Sequence, residues 1–569
     1  MPEKTITGYP SIDKPWQKYY TEEDINAKLP TGSMFSFLCE SNKEHLNMAA
    51  LNYFGKKTTF RQLITNIDKT AEAFERLGIQ EGEIVALLAL NTPECIVSIY
   101  ALNKLGAVVD LEYINLSPQE LQQELLLADV RHVLTVDMFL PTIEKVISEN
   151  EAIQQVIVLP VNRSLPPIMR LLRKPHKRRH YSNHLLDFDE VLKNGRENTI
   201  PMCPINGDSP ALIVHTSGTT GVPKGVVLSN KNVNAIAVEY QHSLIELNAG
   251  DTVLNIAPPF VAFGICLAIH TPLCLGLQVC LSPSPDPETN GKIFMRYKPK
   301  HFLGGPAHIK NIVEVLKKTR LDLSFARTIG YGGEMISEDD SDEYVTFFRA
   351  RGANISHLVP GYGMSEFGGT VVLSGDHIAK RGSVGIPLPL ASLKIIDPDT
   401  GRELRTGETG EIWMTSPSLM TEYFKRPDES EKVLTIDGQG TRWMKTGDLG
   451  MIDSDGFLFL KGRLKRIFLV KGKDNSIYKL FPGYIEDRLR EYKPIGNCAV
   501  VVKSVDKIFY QPIAFVEVSE NMQLSQEEAL KYAKDHLPEY LVPQEIYILD
   551  KLPVTTTGKI DYRALEREL

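Results

Sequence analysis

Thr216-Ser217-Gly218-Thr219-Thr220-Gly221-Val222-Pro223-Lys224-Gly225 is the stretch on which the reading of this chain turns. It follows Ala211-Leu212-Ile213-Val214, an apolar run that predicts a buried strand. Four hydroxyl side chains, three glycines and one lysine fall within these ten residues. Glycines let backbone N–H groups crowd around an anion, and hydroxyls and an ammonium donate to phosphate oxygens. That chemistry describes a phosphate-cradling loop, whereas a plain surface turn has no need of a lysine behind such a donor cluster. The loop departs from the P-loop pattern, which closes on Gly-Lys-Ser/Thr with the last hydroxyl on magnesium. Pro223 precedes Lys224 and Gly225 follows it, so no hydroxyl stands at that position, which argues against a P-loop NTPase.

Working outward, the 569 residues suggest three or four folding units. The chain is 43% hydrophobic and 24% charged, as soluble globular proteins are. Its net charge of −8 gives no bulk attraction to nucleic acid. Seven scattered cysteines without a Cys-x-x-Cys pair fit reduced thiols and a cytoplasmic setting better than a disulfide frame or a zinc site. The first residues, Met1-Pro2-Glu3-Lys4-Thr5-Ile6-Thr7, lack the basic-then-apolar pattern of a signal peptide. Phe260 to Leu281 carries no Asp, Glu, Lys or Arg, but Gly264, His270 and Pro272 interrupt it. A buried helix followed by a core strand is expected there rather than a membrane span.

From about residue 58 to 380 short apolar runs alternate with helical patterns. Strands are expected at Ile84–Leu90, Ala107–Leu111, His132–Val136, Val156–Leu159, Ala211–Val214, Leu277–Leu281 and Arg327–Gly330, with a helix at Pro93–Leu105. Such alternation predicts α/β units with parallel sheets. After about Gly382 the alternating runs Ser392–Ile396 and Glu411–Met414 predict antiparallel β structure. Beyond Gly462-Arg463 the texture is α+β, with helices near Gly483–Tyr492 and Ser525–His536 and strands at Ala499–Lys503 and Ile513–Val518. The segment from Arg163 to His180 holds seven Lys/Arg and no acid. A short helix after Pro166-Pro167 there offers peripheral membrane docking as one reading and a solvated surface insertion as the other.

The loop at 216–225 resembles the signature of the adenylate-forming superfamily, which includes acyl-CoA synthetases, peptide-synthetase adenylation domains and luciferases. That signature, Thr-Ser-Gly-Thr-Thr-Gly-x-Pro-Lys-Gly, is filled at every fixed position. Further matches follow in order: Tyr331-Gly332-Gly333-Glu334 after a strand, then Gly361-Tyr362-Gly363-Met364-Ser365-Glu366, then Lys445-Thr446-Gly447-Asp448, Gly462-Arg463-Leu464-Lys465, and Pro553-Val554-Thr555-Thr556-Thr557-Gly558-Lys559-Ile560. The resemblance runs from Thr59-Phe60 to Arg563. It implies an α/β fold: a large N-terminal domain (1–464) of two α/β subdomains plus a distorted antiparallel β-barrel, and a small mobile α+β C-terminal domain (465–569) hinged at Lys465. It implies that Thr216, Ser217, Gly218, Thr219, Thr220 and Lys224 hold phosphates, and that Gly332, Gly333, Glu334, Gly361, Gly363 and Met364 line the adenine site. Tyr362 would stack on adenine, Ser365 would serve at the phosphate in place of the usual Thr, and Glu366 would ligate magnesium. Asp448 would anchor the ribose, Arg463 would contact the nucleotide, and Lys559 would bridge the substrate carboxylate and the α-phosphate. The catalytic set implied is Lys559, Glu366 and Thr216.

The implied reaction activates a small-molecule carboxylic acid with ATP and Mg2+ to acyl-AMP, then passes the acyl group to coenzyme A or to the phosphopantetheine of an acyl carrier protein. Phe260, Val261, Phe263 and Gly264 are the acyl-pocket candidates. Val261 stands where synthetases commonly have His, leaving an apolar wall that suits a medium- or long-chain fatty acid. The run from Val470 to Pro482 is about five residues longer than in common members, which opens the choice of thiol acceptor. His215 stands where an aromatic residue is usual, a difference that packing would explain. A nucleotide hydrolase, a non-catalytic scaffold and a luciferase-type oxygenase are the competing classes; the missing Walker hydroxyl counts against the first. Intact Lys224, Glu366, Asp448 and Lys559 count against the second.

Overall fold

The computed structural model describes residues 6–114, 116–172, 184–193, 205–216, 224–283, 289–466, 468–471, 476–480, 482–506, 508–519, 522–554 and 560–569. It divides into two compact units: Trp16–Ser392 with Thr415–Arg442, and Met1–Pro15 with Leu393–Met414 and Trp443–Leu569.

The first unit is built on two sheets. In the eight-stranded sheet, Pro210–Thr216, Val108–Leu111, Ile84–Leu88, His132–Val136, Gln155–Leu159 and Leu185–Asp187 lie side by side in that order, all parallel. These are the apolar runs of the sequence, buried on both faces as covered parallel strands are. Lys224–Ser229 and Glu422–Tyr423 extend the sheet antiparallel beyond Pro210–Thr216. The connecting helices carry their own stop and start signals. Phe60–Arg76 opens with a Thr59/Gln62 capping box. Pro93–Leu105 has the bounds expected from sequence: Thr92 caps it, Pro93 opens it, and Gly106 ends it in the left-handed conformation at φ 78°.

The nine-stranded sheet runs Ile386–Pro387, Gly369–Leu373, Val359–Met364, Thr328–Gly332, His301–Gly304, Thr252–Asn255, Gln278–Leu281, Ala49–Tyr53, Lys56–Thr59. Its centre is parallel and its outer pairs are antiparallel. The parallel α/β sheets expected from sequence are present, with antiparallel pairs added at the edges where short connections turn the chain straight back. Two bounds also shift. The strand read to Leu90 stops at Leu88, because the chain must turn into the Thr92 cap. The strand read to Gly330 continues to Gly332, so Tyr331 and Gly332 lie in it rather than after it. Phe260–Leu281 folds as expected, into a buried π-helix Phe263–His270, a helix Thr271–Cys274 and the core strand Gln278–Leu281. Among the described residues no helix is long and apolar enough to cross a membrane.

In the second unit Gly410–Thr415, Arg442–Ile452 and Leu458–Arg463 pair antiparallel in series, with Ser392–Ile396 beside the first. A further three-stranded sheet joins Ile495–Ser504, Tyr510–Val518 and Glu545–Leu549. Helices Pro482–Arg490 and Gln526–His536 pack on it through Ile485, Leu489, Ala529 and Ala533.

Candidate active site

Thr216 and Lys224 stand directly opposite each other in the antiparallel ladder between Pro210–Thr216 and Lys224–Ser229. The loop they bracket is therefore a hairpin connection, not the strand-to-helix turn of a P-loop. Ser217, Gly218, Thr219 and Thr220 lie outside the described residues, but the ladder fixes both ends of their segment. Lys224 Nζ donates to Glu429 Oε2 at 2.6 Å and sits 4.7 Å from the centroid of the Tyr423 ring. The hydrogen bond from Lys224, with a second from Lys432, pulls the Glu429 carboxyl down to about 2. Tyr423 is placed by pairing with Val226 in the neighbouring strand, and its hydroxyl donates to Glu366 Oε1 at 2.6 Å. Burial and the Glu366 charge push the phenol far above its ordinary value, so it remains a donor.

Glu366 lies on the short 3-10 turn Ser365–Phe367 that ends strand Val359–Met364, and it is buried. Its backbone carbonyl accepts from the Met420 N–H at 2.6 Å. Its carboxyl group offers hard oxygen ligands, the donor type that magnesium takes. Residues Gly361, Tyr362, Gly363, Met364 and Ser365 follow one another along that strand and turn. Gly363 has no room for a side chain, since a Cβ there would stand 2.0 Å from the Gly369 carbonyl oxygen. Gly332 pairs with Gly361 in the adjacent strand, and Gly333 turns the chain at φ 88° with Glu334 exposed beyond it. Two neighbouring strands thus end in bare backbone, a surface that a flat ring system can approach.

The acyl-pocket candidates open the π-helix. Phe260 is buried with its ring edge-on to Tyr113 at 5.3 Å, Val261 and Phe263 are partly buried, and Gly264 is buried against the Pro258 carbonyl. The Tyr113 hydroxyl donates to the His215 carbonyl at 2.9 Å, which ties this wall to the strand leading into the loop. His215 itself does more than fill space. Its Nε2 is 2.7 Å from Asp110 Oδ1 and 3.8 Å from Glu112 Oε2. Burial alone would depress this imidazole, and the two carboxylates more than reverse that, pushing it up to about 9.

In the second unit Asp448 and Arg463 are register partners of adjacent strands, with Arg463 Nε 2.9 Å from Asp448 Oδ1. Asp448 is buried and Arg463 half exposed. The Thr446 hydroxyl donates to the Ile412 carbonyl and accepts from the Asp448 N–H, which sets the turn that delivers the aspartate. Lys465 lies on the 3-10 turn Leu464–Arg466. Lys559 lies outside the described residues; Val554 and Ile560, which flank its segment, form an antiparallel bridge.

Within the first unit, then, the structure brings Lys224 and Glu366 to the Tyr423 side chain, with Thr216 opposite Lys224 in the ladder, and within the second it joins Asp448 to Arg463. Sequence reasoning missed Tyr423 and Glu429, which make the first of these a connected group. They lie in Glu422-Tyr423-Phe424-Lys425-Arg426-Pro427-Asp428-Glu429, a charged surface-like stretch with no local signal. Of the basic segment, Pro167–Leu172 is helical with Ile168 exposed, and 173–180 lies outside the described residues. Arg163 is not a free surface cation: it pairs with Asp189 at 2.6 Å and covers the Phe188 ring.

The sequence profile of the AMP-binding enzyme family matches residues 38–424, and that of the AMP-binding enzyme C-terminal domain matches residues 484–559. A long-chain-fatty-acid–CoA ligase of Bacillus subtilis (strain 168) is 28% identical over 98% of each chain. A 4-coumarate–CoA ligase 1 of Oryza sativa subsp. japonica is 27% identical over 87% of this chain and 84% of its own. The crystal structure of the anthranilate CoA ligase AuaEII in complex with anthranoyl-AMP superposes with a TM-score of 0.80 at 22% identity, covering 95% of this chain and 98% of that one. With a match that spans most of its length and falls on the strands and turns described above, the chain belongs to the AMP-binding enzyme family.

Proposed function

We propose that this protein is an AMP-forming acid–thiol ligase that converts a medium- or long-chain fatty acid to its coenzyme A thioester. A carboxylate oxygen attacks the α-phosphorus of ATP, the bond to the β-phosphate oxygen breaks, and pyrophosphate leaves with the electron pair. The thiolate of coenzyme A then attacks the acyl carbon, and AMP leaves. Lys224 and the loop at 216–223 would hold the outer phosphates, and Asp448 and Arg463 the nucleotide. Lys559 would steady the two anions that must meet. Glu366 would hold the magnesium that ATP brings, which supplies charge neutralisation. Positioning and electrostatics of this kind carry phosphoryl and nucleotidyl chemistry.

The observation that carries the reading is the junction at Tyr423. Its ring lies under the Lys224 ammonium and its hydroxyl holds Glu366. A cation and a buried carboxyl group from distant parts of the chain thus share one anchor, which supports pairing a phosphate-binding with a metal-binding role. The fatty-acid assignment is supported by the apolar Val261 and by the Bacillus subtilis relative's name. The test is pyrophosphate release from Mg-ATP over a panel of fatty, aryl and branched acids, followed by acyl transfer to coenzyme A. Turnover of a fatty acid in preference to 4-coumarate or anthranilate is expected; release without any acid would instead indicate a hydrolase. A carrier-protein acceptor is the second reading. It is favoured by the length of the run from Val470 to Pro482, where strands Phe468–Lys471 and Ile477–Leu480 pair antiparallel with Ile477 exposed. A phosphopantetheinylated carrier offered beside coenzyme A separates the two.

A further inference from the structure

Behind the phosphate loop, the parallel strands Val108–Leu111 and Pro210–Thr216 bring three donor side chains together that the reaction does not use. Asp110 lies opposite Ile213 in the register, Glu112 follows the first strand, and His215 is the last residue before Thr216. All three side chains are at most 4% exposed. One imidazole nitrogen and two carboxylate oxygens lie within 4.8 Å of one another. Neither oxygen of Glu112 has a hydrogen-bond partner among the described residues, nor has His215 Nδ1. A carboxylate withdrawn from water with both oxygens unsatisfied is among the costliest things a fold can bury, and native interiors rarely leave one so. Glu112 is aimed at the same point as Asp110, since its Oε2 is 3.8 Å from the His215 nitrogen that Asp110 meets at 2.7 Å. Atoms bound at about 2.0–2.2 Å to a shared ion stand roughly 3–4 Å apart, so the Glu112 separation already fits, and the His215–Asp110 hydrogen bond would open and lose its proton as the ion enters. Half-buried Glu124 adds negative field from the next helix.

We propose that Asp110, Glu112 and His215 form a binding site for one divalent transition-metal ion, resident without nucleotide and distinct from the magnesium at Glu366. One imidazole and two carboxylates, with no thiol, select borderline ions of the zinc or manganese class over calcium or copper(I). The ion would satisfy the orphaned Glu112 oxygens. It would also pin His215, and so hold the residue from which the phosphate loop springs.

The full-length protein, freed of metal by chelation, is dialysed without nucleotide against Zn2+ and separately against Mn2+, and bound metal is measured by elemental analysis. One ion per chain at micromolar free metal is expected. Glu112→Gln keeps the side chain's shape and is expected to weaken retention by at least about tenfold, the least that loss of even an outer metal partner costs. Asp110→Asn should do the same, while Glu366→Gln should retain the ion. Circular dichroism melting of each variant identifies a folding defect. Should neither variant fold, the spin-echo spectrum of Mn2+ on the wild type decides, with coupling to an imidazole nitrogen expected. No retained ion on the wild type, equal retention by folded variants, or bound Mn2+ without nitrogen coupling would overturn the site.

Discussion

At the scale of the residue, the contacts of Tyr423 set a measurable expectation. Its hydroxyl is the donor that fixes Glu366, and a hydrogen bond to a charged group contributes about 1.5–3 kcal/mol. Tyr423→Phe should therefore slow adenylate formation by roughly 10- to 100-fold. It should also move the Mg2+ dependence to higher concentration, because the carboxylate loses its orientation; an unchanged Mg2+ profile in pyrophosphate-release assays would remove Tyr423 from this role. Glu429→Gln should act oppositely on binding. With its counter-ion gone, Lys224 is available to the nucleotide, and a lower KM for ATP is the expected reading. A third residue speaks to stability. Glu239 is fully buried on helix Asn230–Gln241, where burial pushes its carboxyl up to about 8 although the Ser416 hydroxyl donates to it. A carboxyl raised in the folded state binds its proton more tightly there than in the unfolded chain. Its stabilising contribution is complete below the unfolded value near 4.5 and is lost as pH rises toward 8. Melting temperatures between pH 5 and 8 should fall less steeply for Glu239→Gln than for the wild type. Parallel curves would mean that Glu239 does not carry the slope.

At the scale of the element, the strands of the parallel sheets were readable because each is a continuous apolar run bounded by turn residues, and burial on both faces requires that pattern. Helix Pro93–Leu105 was readable to the residue because Thr92, Pro93 and Gly106 punctuate it chemically. The edge strands were not. Glu422–Tyr423 is two residues long and owes its existence to the neighbour it pairs with, Val226–Val227, which no local pattern announces. His215 was legible as an oddity but not as an ion-paired residue, because Asp110 is a hundred positions away and only the register of two strands joins them. The turn Leu464–Arg466 carries its own test. If Lys465 is the pivot, Lys465→Pro should slow thioester formation more than adenylate formation in separate half-reactions, since proline removes the freedom about φ that rotation needs. Equal effects on both would reject the hinge.

At the scale of the whole molecule, the motifs in sequence order were enough to announce the family, but not the way the chain is partitioned. The second unit gathers the N-terminal residues with two later stretches, through bonds such as those of Ser11 to Glu403 and Thr406 to Gly8. Sequence texture suggests a boundary where composition changes, near Lys465; it does not register the joining of residues far apart in the chain. Each unit carries its own group of candidate residues, Lys224 and Glu366 in the first and Asp448, Arg463 and Lys559 in the second. Lys559→Ala should accordingly abolish adenylate formation and spare thioester formation from supplied acyl-AMP. If the two half-reactions fall together, the lysine is not specific to the first.

The pairing of Lys224 with Glu429 gives the resting protein a built-in decoy. Small anions such as orthophosphate or sulfate meet a cation that is already matched, and a single exchange of partners returns them little. A triphosphate arriving with its metal can trade on two contacts at once, with the ammonium on one side of the Tyr423 ring and the Glu366 carboxylate at its rim. If Lys224 and Glu366 hold the nucleotide as proposed, this exchange of partners favours it over small competing anions before any acid enters.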